Sequence, residues 1–236
     1  MMKAAEFIQG KGYVVVISRT NRTKTASLTV DDGEVMLVVP KELTSDRIEK
    51  IIQGRHTWII KKIASHLEAT PATSKQYVSG EAFPYLGRNY RLKVVQGEYQ
   101  AAKLINGRLQ IGLAESKIQD HFARGALVHW YKRNAERKLR EKAERYAKIV
   151  GVTLASIHIK SFKTRWGSCT PKGDLDFNWV IVMAPNRIVD YVVVHELCHL
   201  IHMDHSFKFW LEVERVMPDY KECREWLKVN GHTLVV

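Results

Sequence analysis

One stretch of the sequence holds most of its chemical information. His195-Glu196-Leu197-Cys198-His199 sets two imidazoles four residues apart, with a carboxylate directly after the first. Four residues turn an α-helix by about 400°, so His195 and His199 project from nearly the same side, one turn apart. At that separation two imidazoles can share one Zn²⁺ at ~2.0–2.1 Å. Glu196 is offset by ~100° and stands beside such an ion rather than on it. There a carboxylate can take a proton from water that the metal has made acidic. A third histidine, His205, follows. In a continuous helix it would lie ~15 Å along the axis from His195 and ~80° round it, too far to share the ion. The spacing therefore predicts that the helix stops near 202–204 and the chain turns back, with Asp204 and Ser206 starting a new helix. Three protein ligands leave a fourth position open, as in catalytic rather than structural zinc sites.

A second stretch, Lys163-Thr164-Arg165-Trp166-Gly167-Ser168-Cys169, has two readings. Lys163 and Arg165 could hold an anionic substrate group, or stabilise an oxyanion formed during hydrolysis. The same residues could instead be a hairpin packing Trp166 against the metal helix. Leu175–Trp179 likewise reads either as a core strand or as the strand to which an extended peptide adds. Cys198, offset from both neighbouring histidines, is expected to be a buried packing thiol, and Trp210 and Trp226 to be core. Cys169 has no evident histidine partner, and His202 could support a ligand or face solvent.

The elements that must position these groups are legible from periodicity. The apolar residues Val192, Val193, Val194, Leu197 and Leu200 bury the metal helix, predicted over 186–202, with further helices over 206–216 and 219–229. Ile157-His158-Ile159 and 175–179 read as strands, with 169–173 as the turn between them. Upstream lies a long proline-free helix over about 118–150. Its 124–148 stretch has nine basic and three acidic residues, half of the chain's net charge. That surface is either a solvated face with ion pairs such as Glu141 with Arg145, or a nucleic-acid contact. The N-terminal part reads as strands: 13–17, 26–30 and 35–39, with a turn at Asp31-Asp32-Gly33 and a stop at Pro40. A helix over about 46–68 follows, closed by Thr70-Pro71. A second strand-rich stretch covers 76–113, with hairpins at 86–90 and at Asn106-Gly107, where Asn-Gly favours a type I′ turn.

Composition narrows the class. The chain has 236 residues, 45% of them hydrophobic, which excludes a disordered protein. No apolar run approaches the ~18 residues of a membrane span, so no membrane partner is expected. An odd count of three cysteines argues against a disulfide framework. With no apolar leader at Met1–Glu6, a cytoplasmic location is expected. A formal charge of +12 fits contact with nucleic acid, nucleotides or another polyanion.

These motifs resemble a known family. His195-Glu196-Leu197-Cys198-His199 with His205-Ser206 and Phe209-Trp210 is similar to the YgjP-like metallopeptidase domain, a relative of SprT and Wss-type (WLM) zincins. Lys163-Thr164-Arg165-Trp166-Gly167-Ser168-Cys169 matches a second block of that family, and Asn178-Trp179, Pro185 and Asp190-Tyr191-Val192-Val193-Val194 a third. The likeness is close over about 159–226 and loose elsewhere. Metzincins share the histidine spacing, but His202 stands where their glycine would be. The resemblance implies an α+β fold: a zincin-like core with the His-Glu-x-x-His helix, preceded by a strand-rich extension and the long basic helix. The expected division is 1–114 for the extension and 115–236 for the hydrolase domain. It implies His195, His199 and His205 as Zn²⁺ ligands and Glu196 as general base. The expected activity is a zinc-dependent hydrolase acting on peptides or proteins. Hydrolysis of nucleoside triphosphates at the same site, and a DNA-associated module using the basic helix, are the alternatives.

Overall fold

A computed structural model describes residues 6–22, 25–31, 34–68, 75–113 and 119–236. Its architecture is α+β, with six α-helices and three small sheets among the described residues. Two compact units divide the chain. The first holds residues up to Glu81 together with Arg91–Trp130 and Val236, and the second holds Ala82–Tyr90 and Tyr131–Val235. The predicted boundary at 114/115, the start of the long helix at Ile118, the turn at Asp32-Gly33 and the stop at Thr70-Pro71 lie outside the described residues.

In the first unit, strands β1 (Glu6–Gly10), β2 (Tyr13–Thr20), β3 (Ser27–Asp31) and β4 (Glu34–Pro40) form a sheet in the order β1-β2-β4-β3. β2 and β4 run parallel, and each alternates its β-branched residues across the pleat. Val15, Ile17, Val35, Leu37 and Val39 form one buried cluster with Ile48 and Ile52 of α1 (Ser45–Gly54) and Ile59 and Ile63 of α2 (His56–Glu68). The single helix predicted over 46–68 is therefore two. Gly54, the poorest helix former after proline, ends α1, and Arg55 at φ −110° donates its N–H to the Ile52 carbonyl. Further along, β6 (Arg88–Gln96) runs parallel to β8 (Arg108–Leu113) from Arg91 onward, and β7 (Gln100–Ile105) lies antiparallel to β8. Asn106 and Gly107 join these last two at φ 48° and 72°, the left-handed pair that a type I′ turn requires.

The second unit takes β5 (Ala82–Tyr85) and the opening residues of β6, and α3 (Gln119–Val150) from Tyr131 on. Its sheet has the order β10-β11-β9: β9 (Ser156–Lys160), β10 (Gly167–Cys169) and β11 (Asp174–Asn178). The Cys169–Gly173 turn joins β10 to β11, and β9 pairs with β11 in parallel. Trp179, predicted to end a strand, instead opens a 3₁₀ turn over Trp179–Met183, because the Asn178 side chain accepts the Val180 N–H. Three helices complete the unit: α4 (Asn186–Cys198), α5 (Phe207–Val216) and α6 (Tyr220–Asn230). Among the described residues, no helix is long and apolar enough to cross a membrane.

Candidate metal centre

From Ile188 to Cys198 every residue of α4 except His195 is buried, as in a helix surrounded by its own fold. One of its few polar groups, Asp190, is buried and bonded to the equally buried ammonium of Lys142 at 2.6 Å, with Arg145 at 3.2 Å. One cation of the predicted basic surface on α3, Lys142, is thus spent inside the unit fixing α4, with the half-exposed Arg145 beside it. Lys138 pairs with Glu141 and Arg140 with Glu136, so the predicted Glu141–Arg145 pair does not form. Their shorter-range and buried alternatives satisfy both residues.

α4 stops at Cys198, four residues short of the end predicted for it, and His199 caps it. A tight turn carries the chain on: Leu200, Ile201 and His202 donate to the carbonyls of Leu197, Cys198 and Cys198. Asp204 then accepts the Ser206 N–H at 3.3 Å, and α5 begins at Phe207. This reversal brings His205 back onto α4, with its Nε2 3.1 Å from His195 Nε2. One ligand nitrogen from each of His195, His199 and His205 lies within 4.8 Å of the other two. His199 Nδ1 donates to the His202 carbonyl at 3.0 Å, which leaves Nε2 with its lone pair. The ring of Phe209 stacks on His199 at 4.5 Å and meets His195 and His205 edge-on, and Trp210 stacks on His205.

The electrostatics suit a cation. Burial, with repulsion from His199, His205 and Arg224, pushes His195 down to about 3, and burial also lowers His199 against the opposing bond to His202. Both imidazoles are therefore neutral at pH 7 and have lone pairs to offer. Two ligands ~2.0–2.1 Å from a tetrahedral ion stand ~3.3 Å apart, close to the observed nitrogen separation. The three-histidine donor set thus fits a zinc-type ion.

Glu196 is buried beside this cluster, in a cleft of about 290 Å³ that Arg165, Trp166, Gly167, Tyr191 and Arg224 help to line. Burial raises its carboxyl to about 8, against the attraction of Arg165, and a divalent ion held by the adjoining histidines would draw it back toward the carboxylate form. A Cβ on Gly167 would sit 2.6 Å from Glu196 Oε1, so only glycine lets β10 lie against this side chain. The loop before β10 is held by Asn178, whose amide donates to the carbonyls of Phe162 and Arg165. Trp166 packs against Gly231, where a Cβ would meet the ring at 2.7 Å.

Of the two basic residues predicted to hold an anion, Arg165 lines the cleft, with its guanidinium also over Phe162 at 5.4 Å. Lys163 is exposed and is not among the cleft residues. β11 cannot receive a peptide strand, because β10 and β9 occupy both its edges and Leu175 and Phe177 are fully buried. The strand next to Glu196 is β10, which among the described residues pairs only with β11. Burial holds the thiols of Cys198 and Cys169 at about 12 and about 11, out of thiolate range at neutral pH. Sequence reasoning missed Arg224, whose guanidinium lies 5.0 Å over Trp210. It sits on a helix remote in sequence, with no local motif to mark it.

An α+β core with three convergent histidines and an adjoining buried carboxylate defines the class, a metal-dependent hydrolase of the metallopeptidase kind. Residues 24–230 match the family model described as YgjP-like, metallopeptidase domain, and the chain belongs to that family. Among solved structures, the metallopeptidase zymogen abylysin of Pyrococcus abyssi is 26% identical over 38% of this chain and 93% of its own, with a TM-score of 0.35. No curated protein matches the chain.

Proposed function

We propose that the protein is a zinc-dependent peptidase in which His195, His199 and His205 hold the ion and Glu196 is the general base. The convergence of three imidazoles beside one buried carboxylate supports this reading most strongly. A bound divalent ion would supply Lewis acidity, acidifying water and polarising a carbonyl. Glu196 takes the proton of the attacking water on a carboxylate oxygen and returns it to the leaving nitrogen of the scissile amide. Gly167 and Trp166 form the wall that keeps that carboxylate out of bulk water. The edge of β10 away from β11 is suited to pairing with the backbone of an extended substrate.

A second reading rests on the two guanidinium groups, Arg165 and Arg224, in the same cleft, which suit a phosphoanhydride such as a nucleoside triphosphate. One experiment separates the two. Zinc-loaded protein is incubated with unfolded polypeptides and nucleoside triphosphates, and products are read by mass spectrometry beside metal content. New peptides, lost by ~10²–10⁴-fold in Glu196→Gln with zinc retained, are expected, and His199→Ala should lose zinc and activity together. Nucleoside mono- or diphosphates as the sole products would replace the peptidase reading with the second one. Full activity in Glu196→Gln would overturn the role of that residue.

A further inference from the structure

We propose that a groove in the first unit, between β3 and the α1–α2 helices, docks an extended acidic segment of polypeptide. β3 ends its sheet and pairs on one side with β4, and among the described residues no strand pairs on the other. Alternate backbone N–H and C=O groups of Ser27–Asp31 therefore face outward, and the strand carries neither the lysine nor the proline that commonly blunts a sheet edge. Beside it lies a groove of about 590 Å³, within the size range of ligand sites. Leu28, Ile51 and Trp58 give it apolar walls, and Lys50 and Arg55 give it positive charge. Among the described residues, no carboxylate lines it.

Two details favour a ligand over an incidental gap. Trp58 leaves 39% of its surface exposed, a large apolar ring left at the groove wall. Gly54 lies in the same groove, in a helical conformation that any residue adopts, and a Cβ there would meet nothing within 4 Å. Glycine at a helical position costs ~1 kcal/mol relative to alanine, and no neighbouring atom would obstruct a side chain here. A glycine lets another backbone come close.

The groove suits a peptide better than a nucleic acid. Single-stranded nucleic acid needs a row of cations along its phosphates and several rings for its bases. Here two cations and one exposed ring stand among aliphatic side chains at an unpaired strand edge. An extended peptide uses all of these features: its backbone pairs with β3, alternate apolar side chains enter the groove, and carboxylates meet Lys50 and Arg55. None of these residues belongs to the metal centre, so the proposal does not depend on the reaction assigned to it.

The test is fluorescence anisotropy on the full-length protein and its Glu196→Gln variant. The probes are a labelled peptide of alternating valine and glutamate, its lysine counterpart and an oligothymidylate. The glutamate peptide is expected to bind saturably, about tenfold or more tighter than the lysine peptide, and equally to both proteins. Lys50→Glu combined with Arg55→Glu should weaken it by about tenfold or more. Gly54→Met should fill the groove and weaken binding similarly, with an unchanged circular dichroism spectrum. Equal binding in wild type and Glu196→Gln, even where neither cuts peptide, separates this proposal from the peptidase reading. Absent binding, binding indifferent to both groove variants, or displacement by oligothymidylate but not by unlabelled glutamate peptide would overturn it.

Discussion

The two units bury different kinds of side chain. Around β2, β4, α1 and α2 the core is a cluster of valine, isoleucine and leucine together with Tyr13. Among the described residues, the buried polar and charged side chains are Lys142, Asn178, Asp190, Glu196 and His199, and all five belong to the second unit. Burying such groups costs several kcal/mol each unless they are bonded or paired. Each of the five has a position to hold. Lys142 and Asp190 fix α4, Asn178 fixes the loop leading to β10, and His199 and Glu196 face the site. One unit is organised by area removed from water, the other by a few polar contacts that set where particular atoms sit.

The largest expected stability effect tests that difference directly. Lys142→Met leaves the Asp190 carboxylate buried, with the half-exposed Arg145 as its remaining cation. The loss should be about 3 kcal/mol in urea unfolding, the low end of what breaking a buried pair costs. Adding Asp190→Leu to Lys142→Met should recover most of it, since an apolar pair of similar volume packs without stranded charge. A single variant costing no more than a surface change would mean that water reaches Asp190, and the contrast between the units would fail.

This pair also shows where the sequence could be read and where it could not. The four-residue histidine spacing, the apolar run of α4 and the chain reversal before His205 are local patterns, and the helix geometry needed to interpret them is general. The Asn106-Gly107 turn is equally local. Lys142 was available too: it stands three residues after Leu139 and four before Tyr146, on the buried face of α3, but a count of charges treats it as surface. Other features depend on which elements meet. That β11 is central, that Gly167 lies against Glu196 and that Arg224 reaches the cleft are consequences of tertiary contact between segments far apart in the chain. No periodicity encodes them. The division of 46–68 into two helices had a local sign in Gly54, outweighed by a continuous apolar stripe.

A smaller stability change with a sharper functional one is expected at Gly167. In Gly167→Ala the new methyl would lie 2.6 Å from Glu196 Oε1 and 2.7 Å from its Cγ, so the carboxylate must move. Overpacking of this kind costs about 1–3 kcal/mol. Displacing a catalytic group by an ångström costs ~10²-fold in rate, so turnover should fall by about that factor. Zinc content should stay the same, since the three histidines come from α4 and the chain leading to α5. Peptidase kinetics with metal analysis on one preparation checks both. Loss of the metal as well would show that β10 supports the histidines and not Glu196 alone.

The smallest effect belongs to the surface counterpart of the buried pair. Arg187, in the first turn of α4, grips both carboxylate oxygens of Asp219 just before α6, with Nε 2.7 Å from Oδ2. The geometry is bidentate, yet the side chains are 46% and 36% exposed. The guanidinium bond holds the Asp219 carboxyl below its ordinary range, with burial opposing it. A carboxyl whose folded pKa lies below its unfolded value of ~3.9 contributes stability above that value and loses it as the pH falls through the folded pKa. Solvent screening keeps the contribution within ~1 kcal/mol. Asp219→Asn should therefore cost less than ~1 kcal/mol at pH 7, shrink further in ~1 M salt, and cost nothing in acid below the folded pKa. Urea unfolding of this variant and of Lys142→Met across pH and salt compares the two pairs on the same helix. The buried pair should be nearly indifferent to salt, and equal salt sensitivity in both would show that burial does not distinguish them.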